Sequence, residues 1–353
     1  MGGIETHLEA LCGELKGICD LKVIVSSEDR TGREEVLEGV AISRVPTLWT
    51  VASTTLCPGM IRAIRESDAD IVHIHLPNPT AVLSYLASGH RGRLVVTYHS
   101  DTVRQKILGA LFEPWLHAAL RRSSAIIATS PDYLRTSKAL AAYQDRCHVI
   151  PYGIRLDEFE HPDPTSVQTL RQQYGERLIV SVGRLVYYKG FEFLIEAMTQ
   201  VRGKLLIIGE GPLGQKLRDR TVALGLENKV IFAGEVANDK LAPYYQAADM
   251  FALASVARSE AFGIVQIEAM AAGLPVVNTQ LDSGVPFVSL HGQTGLTVPP
   301  ANPQALGDAL NRLLDDPDLR RCYGSAARLR AEKEFSLEKM KSRIMALYES
   351  VLR

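Results

Sequence analysis

Short β-branched runs alternate with helical stretches along almost all of this 353-residue chain. Strands that alternate with helices predict parallel sheets with helices on both faces. The first series of candidate strands comprises Leu21–Ser26, Val40–Val45, Ile71–His75, Leu94–Tyr98, Ala125–Thr129 and Cys147–Ile150. The second comprises Leu178–Val182, Lys204–Ile208, Lys229–Phe232, Met250–Leu253, Pro275–Val277 and Leu296–Val298. Two such series predict an α/β chain with two doubly wound, Rossmann-like domains.

Amphipathic segments fill the intervals between these strands, as the helices of such a fold must. They include Glu5–Lys16, Leu213–Leu224, Leu241–Ala248, Pro303–Leu314 and a last helix at Leu337–Leu352.

The domain boundary is predicted near residues 151–164, where three prolines and a glycine interrupt the pattern. We expect an N-terminal domain of residues 1–157 and a C-terminal domain of residues 158–353, with the last helix packing back toward the N-terminal domain. Ligands in open α/β sheets bind at the carboxyl ends of the strands, so the expected site is a central cleft that both sheets face.

Composition excludes several classes of protein. A net charge of −1 argues against a nucleic-acid binder, which normally carries a basic excess. No apolar run approaches the ~20 residues that span a bilayer, and no secretion signal is visible at the start. The five cysteines are scattered and lack metal-type spacing. The chain is therefore expected in the cytoplasm, with reduced thiols.

One local charge excess lies between Gly89 and Arg122. Its basic residues are Arg91, Arg93, Arg104, Lys106, Arg121 and Arg122, opposed by Asp101 and Glu113. Two interpretations stay open: a solvated helix face with a phosphate contact, or a surface that docks anionic lipid or a phosphorylated acceptor.

Two glycine-containing loops are candidates for phosphate contacts. Gly2 and Gly3 directly precede a helix, although most such pairs only form tight turns. Gly183, Arg184 and Lys189 follow the strand that opens the second domain. Two cations at the edge of a cleft can neutralise a departing diphosphate, and solvated loop cations are the alternative.

Two glutamates, Glu260 and Glu268, flank the predicted start of an apolar helix near Gly263. Seven residues separate them, which places Glu268 about one and a half turns inside that helix. A carboxylate accepts paired hydrogen bonds from vicinal hydroxyls, so one glutamate suits a ribose and the other a hexose. An acid inside a buried helix also needs a partner.

His99 ends a predicted strand, where the cleft should lie, although a lone histidine is more often structural. His73 and His75 alternate along another strand and are expected to point to one face.

These elements together resemble glycosyltransferase family 4, a large group with the GT-B fold. The resemblance covers nearly the whole chain. Its motifs are Gly-Gly-x-Glu, Gly-Arg-x4-Lys-Gly, the segment Ile207–Pro212, the glutamates seven residues apart and Gly292-x-x-Gly295.

The resemblance implies roles for individual residues. The C-terminal domain binds the donor and the N-terminal domain binds the acceptor, while Gly3 of the N-terminal domain also approaches the diphosphate of the donor. The donor contacts in the C-terminal domain are Gly183, Arg184, Lys189, Glu260, Phe262, Gly263, Ile264, Val265 and Glu268. His99, Arg184, Lys189 and Glu260 form the catalytic set, with Glu268 on the ribose. The local charge excess, rather than the resemblance, predicts that Arg104, Lys106, Arg121 and Arg122 face the acceptor or a membrane.

The resemblance also implies a retaining hexosyl transfer from a nucleotide diphosphate sugar, without a metal or other cofactor. Front-face attack fits a sequence with no evident nucleophile–base pair and no Asp-x-Asp metal site. Residues 98–106 and 284–288 look like enzymes of O-antigen or capsule assembly, which favours GDP-mannose as donor. The acceptor is then a glycan or a polyprenyl-diphosphate-linked glycan, reached from the cytoplasm or the inner face of the membrane.

Three alternatives share parts of this pattern. A sugar-nucleotide 2-epimerase has the same architecture, a pyridoxal-phosphate glucan phosphorylase is much longer, and a non-catalytic partner subunit would not need the charged motifs.

The start of the chain departs from the family pattern, in which a strand delivers the Gly-Gly loop. We therefore expect a shortened form that lacks roughly 15–25 residues, a central strand of the first sheet among them, with the Gly2-Gly3 loop displaced.

Overall fold

A computed structural model of the chain describes residues 3–27, 30–51, 54–100, 106–160 and 163–353. The chain divides into two compact units. Unit 1 comprises residues 1–152 and 337–353, and unit 2 comprises residues 153–336. The division therefore falls at residue 152 rather than 157, and the last helix belongs to unit 1.

The helices and strands alternate as follows. The first part of the chain contains α1 (Gly3–Leu15), β1 (Lys22–Ser26), β2 (Arg33–Leu37), β3 (Val40–Val45), β4 (Trp49–Val51), β5 (Thr54–Leu56), α2 (Gly59–Arg65), β6 (Ile71–Leu76), α3 (Pro79–Ser88), β7 (Arg93–Tyr98), α4 (Lys106–Arg122), β8 (Ala125–Ala128), α5 (Pro131–Thr136), a 3-10 helix (Ala141–Arg146) and β9 (Cys147–Val149). Unit 2 contains α6 (Asp157–Glu160), α7 (Pro164–Tyr174), β10 (Leu178–Val182), a 3-10 turn (Tyr187–Lys189), α8 (Phe191–Ala197), β11 (Lys204–Ile208), α9 (Gly214–Ala223), β12 (Val230–Gly234), a 3-10 turn (Asn238–Lys240), α10 (Ala242–Ala247), β13 (Met250–Ala252), α11 (Val265–Ala271), β14 (Val276–Thr279), α12 (Val285–Val288), β15 (Gly295–Val298), α13 (Pro303–Asp315) and α14 (Pro317–Glu334). The chain ends with α15 (Leu337–Leu352).

Unit 2 is built on one parallel sheet with the strand order β12-β11-β10-β13-β14-β15. All five residues of β10 are buried, as expected for a strand covered by helices on both faces. The order runs outward from β10 in one direction and from β13 in the other, which is the doubly wound arrangement. The reversal between β10 and β13 is the point at which such sheets bind ligands.

The strands of unit 1 form separate sheets. β6-β7-β8-β9 is fully parallel, β1-β3-β2 pairs β1 with β3 in parallel and β2 with β3 antiparallel, and β4 pairs with β5 as a hairpin. The expected absence of a central strand rests on where the chain begins and stays a prediction. Gly3 is the first residue of α1, whereas Met1 and Gly2 lie outside the described residues.

The last helix contributes to the core of unit 1. Ile344 and Leu347 of α15 are buried in one apolar cluster with Leu11 and Leu15 of α1 and with Val95 of β7. An ion pair between Lys341 Nζ and Glu14 Oε2, at 2.7 Å, joins the same two helices at the surface. Because α15 follows unit 2 in sequence, unit 1 is assembled from both ends of the chain.

All twelve predicted strands are present, each with bounds within two residues of those expected. The sequence did not predict β2, β4 and β5. β2 carries three charged residues and is mostly exposed, so it lacks the apolar run that marks a buried strand. β4 and β5 have only three residues each, which is too short for a periodic pattern.

The contribution of α15 to unit 1 can be measured by urea unfolding. Ile344→Ala should lower the free energy of unfolding by about 2–4 kcal/mol, because it opens a cavity in the apolar cluster. Ser342→Ala, at an exposed position of the same helix, is the control and should change it by less than about 0.5 kcal/mol. Equal effects of the two substitutions would contradict this packing.

Candidate functional site

The carboxyl ends of β10 and β13 lie side by side where the strand order of unit 2 reverses. β10 continues into a loop that carries Gly183, Arg184 and Lys189, and β13 continues into a loop that carries Glu260. Loops at this position of a doubly wound sheet form its ligand site. The fold therefore places four of the predicted site residues on two neighbouring loops.

Close approach of two backbone segments requires glycine after β10 and β11. Gly183 has a φ of +152° and Gly209 a φ of +126°, and a Cβ on Gly209 would lie 2.3 Å from the carbonyl oxygen of Gly183. A Cβ on Gly183 would lie 3.3 Å from Nζ of Lys189. Only glycine fits this arrangement without strain. The Lys189 side chain consequently lies directly against Gly183.

The end of the Lys189 loop is fixed to the loop after β13. Gly190 adopts a φ of +66°, and a Cβ there would lie 2.1 Å from the carbonyl oxygen of Ala254. The next contact is a hydrogen bond of 2.8 Å from the Val256 N–H to the Tyr188 carbonyl oxygen. These backbone contacts hold Lys189 beside the segment that carries Glu260.

A buried ion pair joins the two loops. Lys189 Nζ lies 2.7 Å from Glu260 Oε2, and the side chains are only 11% and 9% exposed. Ser255 Oγ donates a second hydrogen bond of 2.9 Å to the same oxygen. Glu260 Oε1 therefore keeps its capacity to accept, and the Lys189 ammonium keeps two of its three donors.

Arg184 occupies the exposed side of the same loop. Its side chain is exposed and forms no ion pair with any residue that the structure describes. An unpaired guanidinium beside a buried ammonium gives this loop a local positive charge that suits a diphosphate.

Glu268 finds its partner in Tyr245 of α10, whose hydroxyl donates a hydrogen bond of 2.6 Å to Oε2. Burial raises the pKa of Glu268, and the Tyr245 bond and the charge of Lys189 oppose that rise. Burial also raises the pKa of Tyr245 well above its usual value, so the phenol stays a donor. The predicted need of Glu268 for a partner is confirmed.

The helix after Glu260 begins later than expected. It starts at Val265 rather than near Gly263, because Gly263 has a φ of +77° and cannot belong to a right-handed helix. Glu268 therefore lies in the first turn of a seven-residue helix, not one and a half turns inside. Phe262 is buried, whereas Ile264 and Val265 are half-buried.

A buried amide network supports the 262–265 segment and was not predicted. Gln266 Nε2 donates to the Phe262 carbonyl oxygen at 3.2 Å, and Asn278 Nδ2 donates to Gln266 Oε1 at 2.8 Å. A single Gln and a single Asn give no sequence signal, since their importance arises only from burial.

His99 follows β7 in unit 1 and is 1% exposed. Both of its ring nitrogens have partners: Nε2 lies 2.9 Å from His75 Nδ1, and Nδ1 lies 2.5 Å from the Tyr152 hydroxyl. Burial lowers the pKa of His99 to about 3, so the ring is neutral near pH 7. Tyr152 was not predicted, because 53 residues separate it from His99.

His73 and His75 do point to the same face of β6, as expected. Their rings stack with centroids 4.3 Å apart. Two hydrogen bonds fix the His73 ring. One joins Nδ1 to Tyr348 Oη at 2.6 Å, and the other joins Nε2 to Thr97 Oγ1 at 2.7 Å. The structure also adds His7 of α1, whose ring centroid lies 5.5 Å from that of His99.

The structure describes only two of the four side chains that were predicted to face the acceptor or a membrane. Arg121 and Arg122 are exposed at the end of α4, and the Arg122 guanidinium lies 5.8 Å from the centre of the Tyr85 ring. Arg104 lies outside the described residues, as does the side chain of Lys106. Among the helices that the structure describes, none combines the length and the apolarity needed to cross a bilayer.

An apolar groove in unit 1 was not predicted. Its cavity volume is about 600 Å³, and it lies between α2, α3, α4 and the hairpin β4–β5. Trp49, Trp115, Leu56 and Leu83 line it and are all more than 40% exposed. Exposed apolar surface of this kind marks a binding site. Arg62 and Arg65 of α2 and Arg121 and Arg122 of α4 lie on the same helices.

Both halves of the chain match family profiles. Residues 164–330 match the family described as "Glycosyl transferases group 1", and residues 1–158 match "Glycosyltransferase Family 4".

The chain is also similar to characterised proteins. It is 33% identical to D-rhamnosyltransferase WbpZ of Pseudomonas aeruginosa, over 95% of this chain and 89% of that protein. It is 32% identical to O-antigen chain mannosyltransferase C of Escherichia coli, over 86% and 82%. It is 30% identical to a GDP-mannose-dependent phosphatidylinositol monomannoside mannosyltransferase of Mycolicibacterium smegmatis, over 93% and 89%. Sucrose-phosphate synthase of Thermosynechococcus elongatus has a similar structure, with a TM-score of 0.83 at 25% identity over 99% and 94% of the two chains.

The ion pair at the site gives a stability prediction. Lys189→Met should lower the free energy of unfolding by about 3 kcal/mol, because it leaves the buried Glu260 carboxylate without its counter-charge. The double variant Lys189→Met/Glu260→Gln should recover at least half of this loss. Arg202→Met removes the exposed pair with Asp315 and is the matched control, with an expected loss below about 1 kcal/mol. A single Lys189→Met variant as stable as the wild type in urea would show that the pair is not buried.

Proposed function

The chain belongs to the group 1 glycosyltransferases of family 4 and has the GT-B fold, and from this premise we propose that it transfers mannose from GDP-mannose, with retention and without a metal, to a lipid-linked glycan. The observation that carries the proposal is the buried Lys189–Glu260 pair at the point where the strand order of unit 2 reverses.

The positive charge of the Lys189 loop suits a diphosphate. Lys189 directs one donor to Glu260 and keeps two, while Arg184 is exposed and unpaired among the described residues. Gly183 removes the side chain that would keep a phosphate away from the backbone. Charge that develops on a departing diphosphate is stabilised most by cations that are already in place.

The two glutamates suit the two sugars of the donor. Both bonds to Glu260 end on Oε2, so Oε1 can accept from hydroxyls of the transferred hexose. Tyr245 occupies Oε2 of Glu268, so Oε1 of that residue can accept from the ribose. Ribose is common to the donor and to the released nucleotide, whereas the hexose is present only in the donor.

The chemical step needs no protein nucleophile. An acceptor hydroxyl attacks the anomeric carbon on the face from which the diphosphate leaves. The new C–O bond forms as the bond from the anomeric carbon to the phosphate oxygen breaks, and the acceptor proton passes to that phosphate oxygen. Arg184 and Lys189 stabilise the negative charge of the leaving group. His99, neutral and held by Tyr152 Oη at 2.5 Å, contacts the transferred sugar.

The choice of donor rests on the relatives. Two are named mannosyltransferases, one of them GDP-mannose-dependent, and a third is a D-rhamnosyltransferase. D-rhamnose is mannose without its 6-hydroxyl, so all three names describe sugars of the manno configuration. GDP-mannose is therefore the favoured donor, and GDP-D-rhamnose is the competitor that an assay must include.

The apolar groove of unit 1 suits the lipid part of the acceptor. Its two exposed tryptophans line the groove together with exposed leucines. Amphipathic aromatic rings favour the boundary between water and lipid. The exposed Arg121 and Arg122 at the end of α4 supply positive charge for a diphosphate or an anionic headgroup. On this proposal the enzyme works at the cytoplasmic face of a membrane.

A transfer assay with GDP-mannose and a polyprenyl-diphosphate glycan tests the activity. Arg184→Ala should lower turnover about a hundredfold at saturating donor, because a charge on the leaving group loses its counter-charge. Turnover of the wild type should persist in excess EDTA.

Arg312→Ala, a substitution on α13, is the control for the loss of one arginine in unit 2. Normal turnover of Arg184→Ala, or a loss in EDTA that manganese restores, would refute the corresponding part of the proposal. Faster transfer from GDP-D-rhamnose or UDP-glucose than from GDP-mannose would show that this other sugar nucleotide is the donor.

The two glutamates can be separated by calorimetry with GDP alone. Glu268→Ala should weaken GDP binding about tenfold to a hundredfold, which is the range for loss of a hydrogen bond to a charged group. Glu260→Ala should leave GDP binding within about threefold of the wild type and still impair transfer. Equal losses of GDP affinity in both variants would show that the roles are misassigned.

Tryptophan emission reports directly on the groove, because the chain contains two tryptophans and both line it. Vesicles that contain phosphatidylglycerol should shift the emission to shorter wavelength, since the rings leave water. Arg121→Glu/Arg122→Glu should abolish the shift, because each basic residue near an anionic surface contributes about 1 kcal/mol.

The control Lys216→Glu/Arg321→Glu makes the same charge change on exposed side chains of unit 2 and should keep the shift. An equal shift in all three proteins would mean that the arginines of α4 do not face the membrane.

A further inference from the structure

Three histidines from three elements of unit 1 meet in one place. His7 comes from α1, His75 from β6 and His99 from the residue after β7. One ring nitrogen of each lies within 4.8 Å of the others, and among the residues that the structure describes this is the one group of three with the spacing of metal ligands. We refer to these residues as the histidine cluster.

The cluster contains a buried polar atom without a partner. His7 is 6% exposed, and its Nδ1 has no hydrogen bond. An unsatisfied buried nitrogen costs about 1–3 kcal/mol, so native structures rarely keep one without a reason. The His7 ring packs 4.6 Å from the Tyr152 ring and 5.5 Å from the His99 ring, which holds it against the other two histidines.

A neutral imidazole offers one lone pair to a metal ion, so the three rings of the cluster together supply three nitrogen ligands.

Two of the three histidines already have nearly the spacing of ligands to one ion. His75 Nδ1 and His99 Nε2 are 2.9 Å apart, whereas two ligands of a tetrahedral zinc ion lie about 3.3 Å apart. Tyr152 Oη bonds the other nitrogen of His99 at 2.5 Å, and such a bond orients a ligating imidazole. A metal ion held by these two nitrogens would replace the hydrogen bond between them, and each ring would keep its single proton on its other nitrogen, which in His99 is the Nδ1 that faces Tyr152 Oη.

His73 supports the cluster without belonging to it. Both of its nitrogens are occupied, and its ring stacks on that of His75. Of the three ligands, His75 is the least buried residue. The donor set is entirely nitrogen, which favours zinc and its neighbours over magnesium or manganese.

We propose that His7, His75 and His99 bind a zinc ion, with the fourth coordination position open to water. Binding of zinc does not depend on the function proposed above. Its consequence does: His99 cannot contact the transferred sugar while it ligates the metal, so zinc inhibits transfer.

Cobalt(II) and zinc, added to the metal-free full chain, test the site directly. One equivalent of cobalt should give the intense visible absorption of a tetrahedral complex, and zinc should displace it. His7→Gln and His75→Gln should each weaken zinc binding at least about tenfold. Loss of a residue that only supports a ligand already lowers metal affinity by about tenfold or more, and loss of a ligand itself should cost more. Circular dichroism establishes that both variants are folded, and two variants from different elements guard against a local folding defect.

His148→Gln is the matched control, because His148 is exposed on β9 and lies outside the cluster. It should bind zinc like the wild type. Absence of a tetrahedral cobalt spectrum, or wild-type zinc affinity in both cluster variants, would overturn the proposal. So would a strong thiolate-to-cobalt charge-transfer band, which would assign the metal to the free cysteines.

An activity measurement separates the metal site from its consequence. Micromolar zinc should inhibit the wild type and His148→Gln, and His7→Gln should resist. If zinc binds to the cluster as above but leaves transfer unchanged, the zinc site stands and the role of His99 in sugar contact is refuted.

Discussion

The buried contact between Lys189 and Glu260 is the interaction on which the rest of the site depends. The two residues belong to different loops and form an ion pair of 2.7 Å, and the close packing of Gly190 against the Ala254 carbonyl oxygen helps to bring these loops together. Gly183 leaves room for the lysine on the other side. A buried pair of this kind contributes little net stability, but removal of one partner is costly, so each residue constrains the other. The positive charge of the loop is thereby fixed in position before any ligand binds.

The strand order explains why this contact arises where it does. β10 and β13 are neighbours although 67 residues lie between the end of β10 at Val182 and the start of β13 at Met250. Their connections leave in opposite directions, so their carboxyl ends open a space between the loops. His99 and His75 in unit 1 also stand at or near carboxyl ends of parallel strands, although the order β6-β7-β8-β9 contains no such reversal. A general property of α/β sheets therefore positions both sets of polar residues.

The pattern of apolar and charged residues along the sequence was sufficient to predict the parts of the structure that depend on near neighbours in the chain. Buried runs such as Leu178–Val182 predicted the strands, and Arg184 with Lys189 predicted the cationic loop. Contacts between distant residues were not accessible. Tyr245 supports Glu268 across 23 residues, Tyr152 supports His99 across 53, and nothing in either tyrosine's neighbourhood in the sequence indicates this. The start of α11 was misplaced because glycine can begin a helix or stop one, and only the backbone angle of Gly263 decides.

The central claim is that the loops after β10 and β13 together form the nucleotide site. Amide hydrogen exchange of the full chain, with and without saturating GDP, tests it without any substitution. Exchange should slow in residues 183–190 and 255–268, because bound nucleotide suppresses local opening there, and should stay unchanged in α9 and β12 at the far edge of the sheet. Protection confined to other segments, with no change in either loop, would contradict the account.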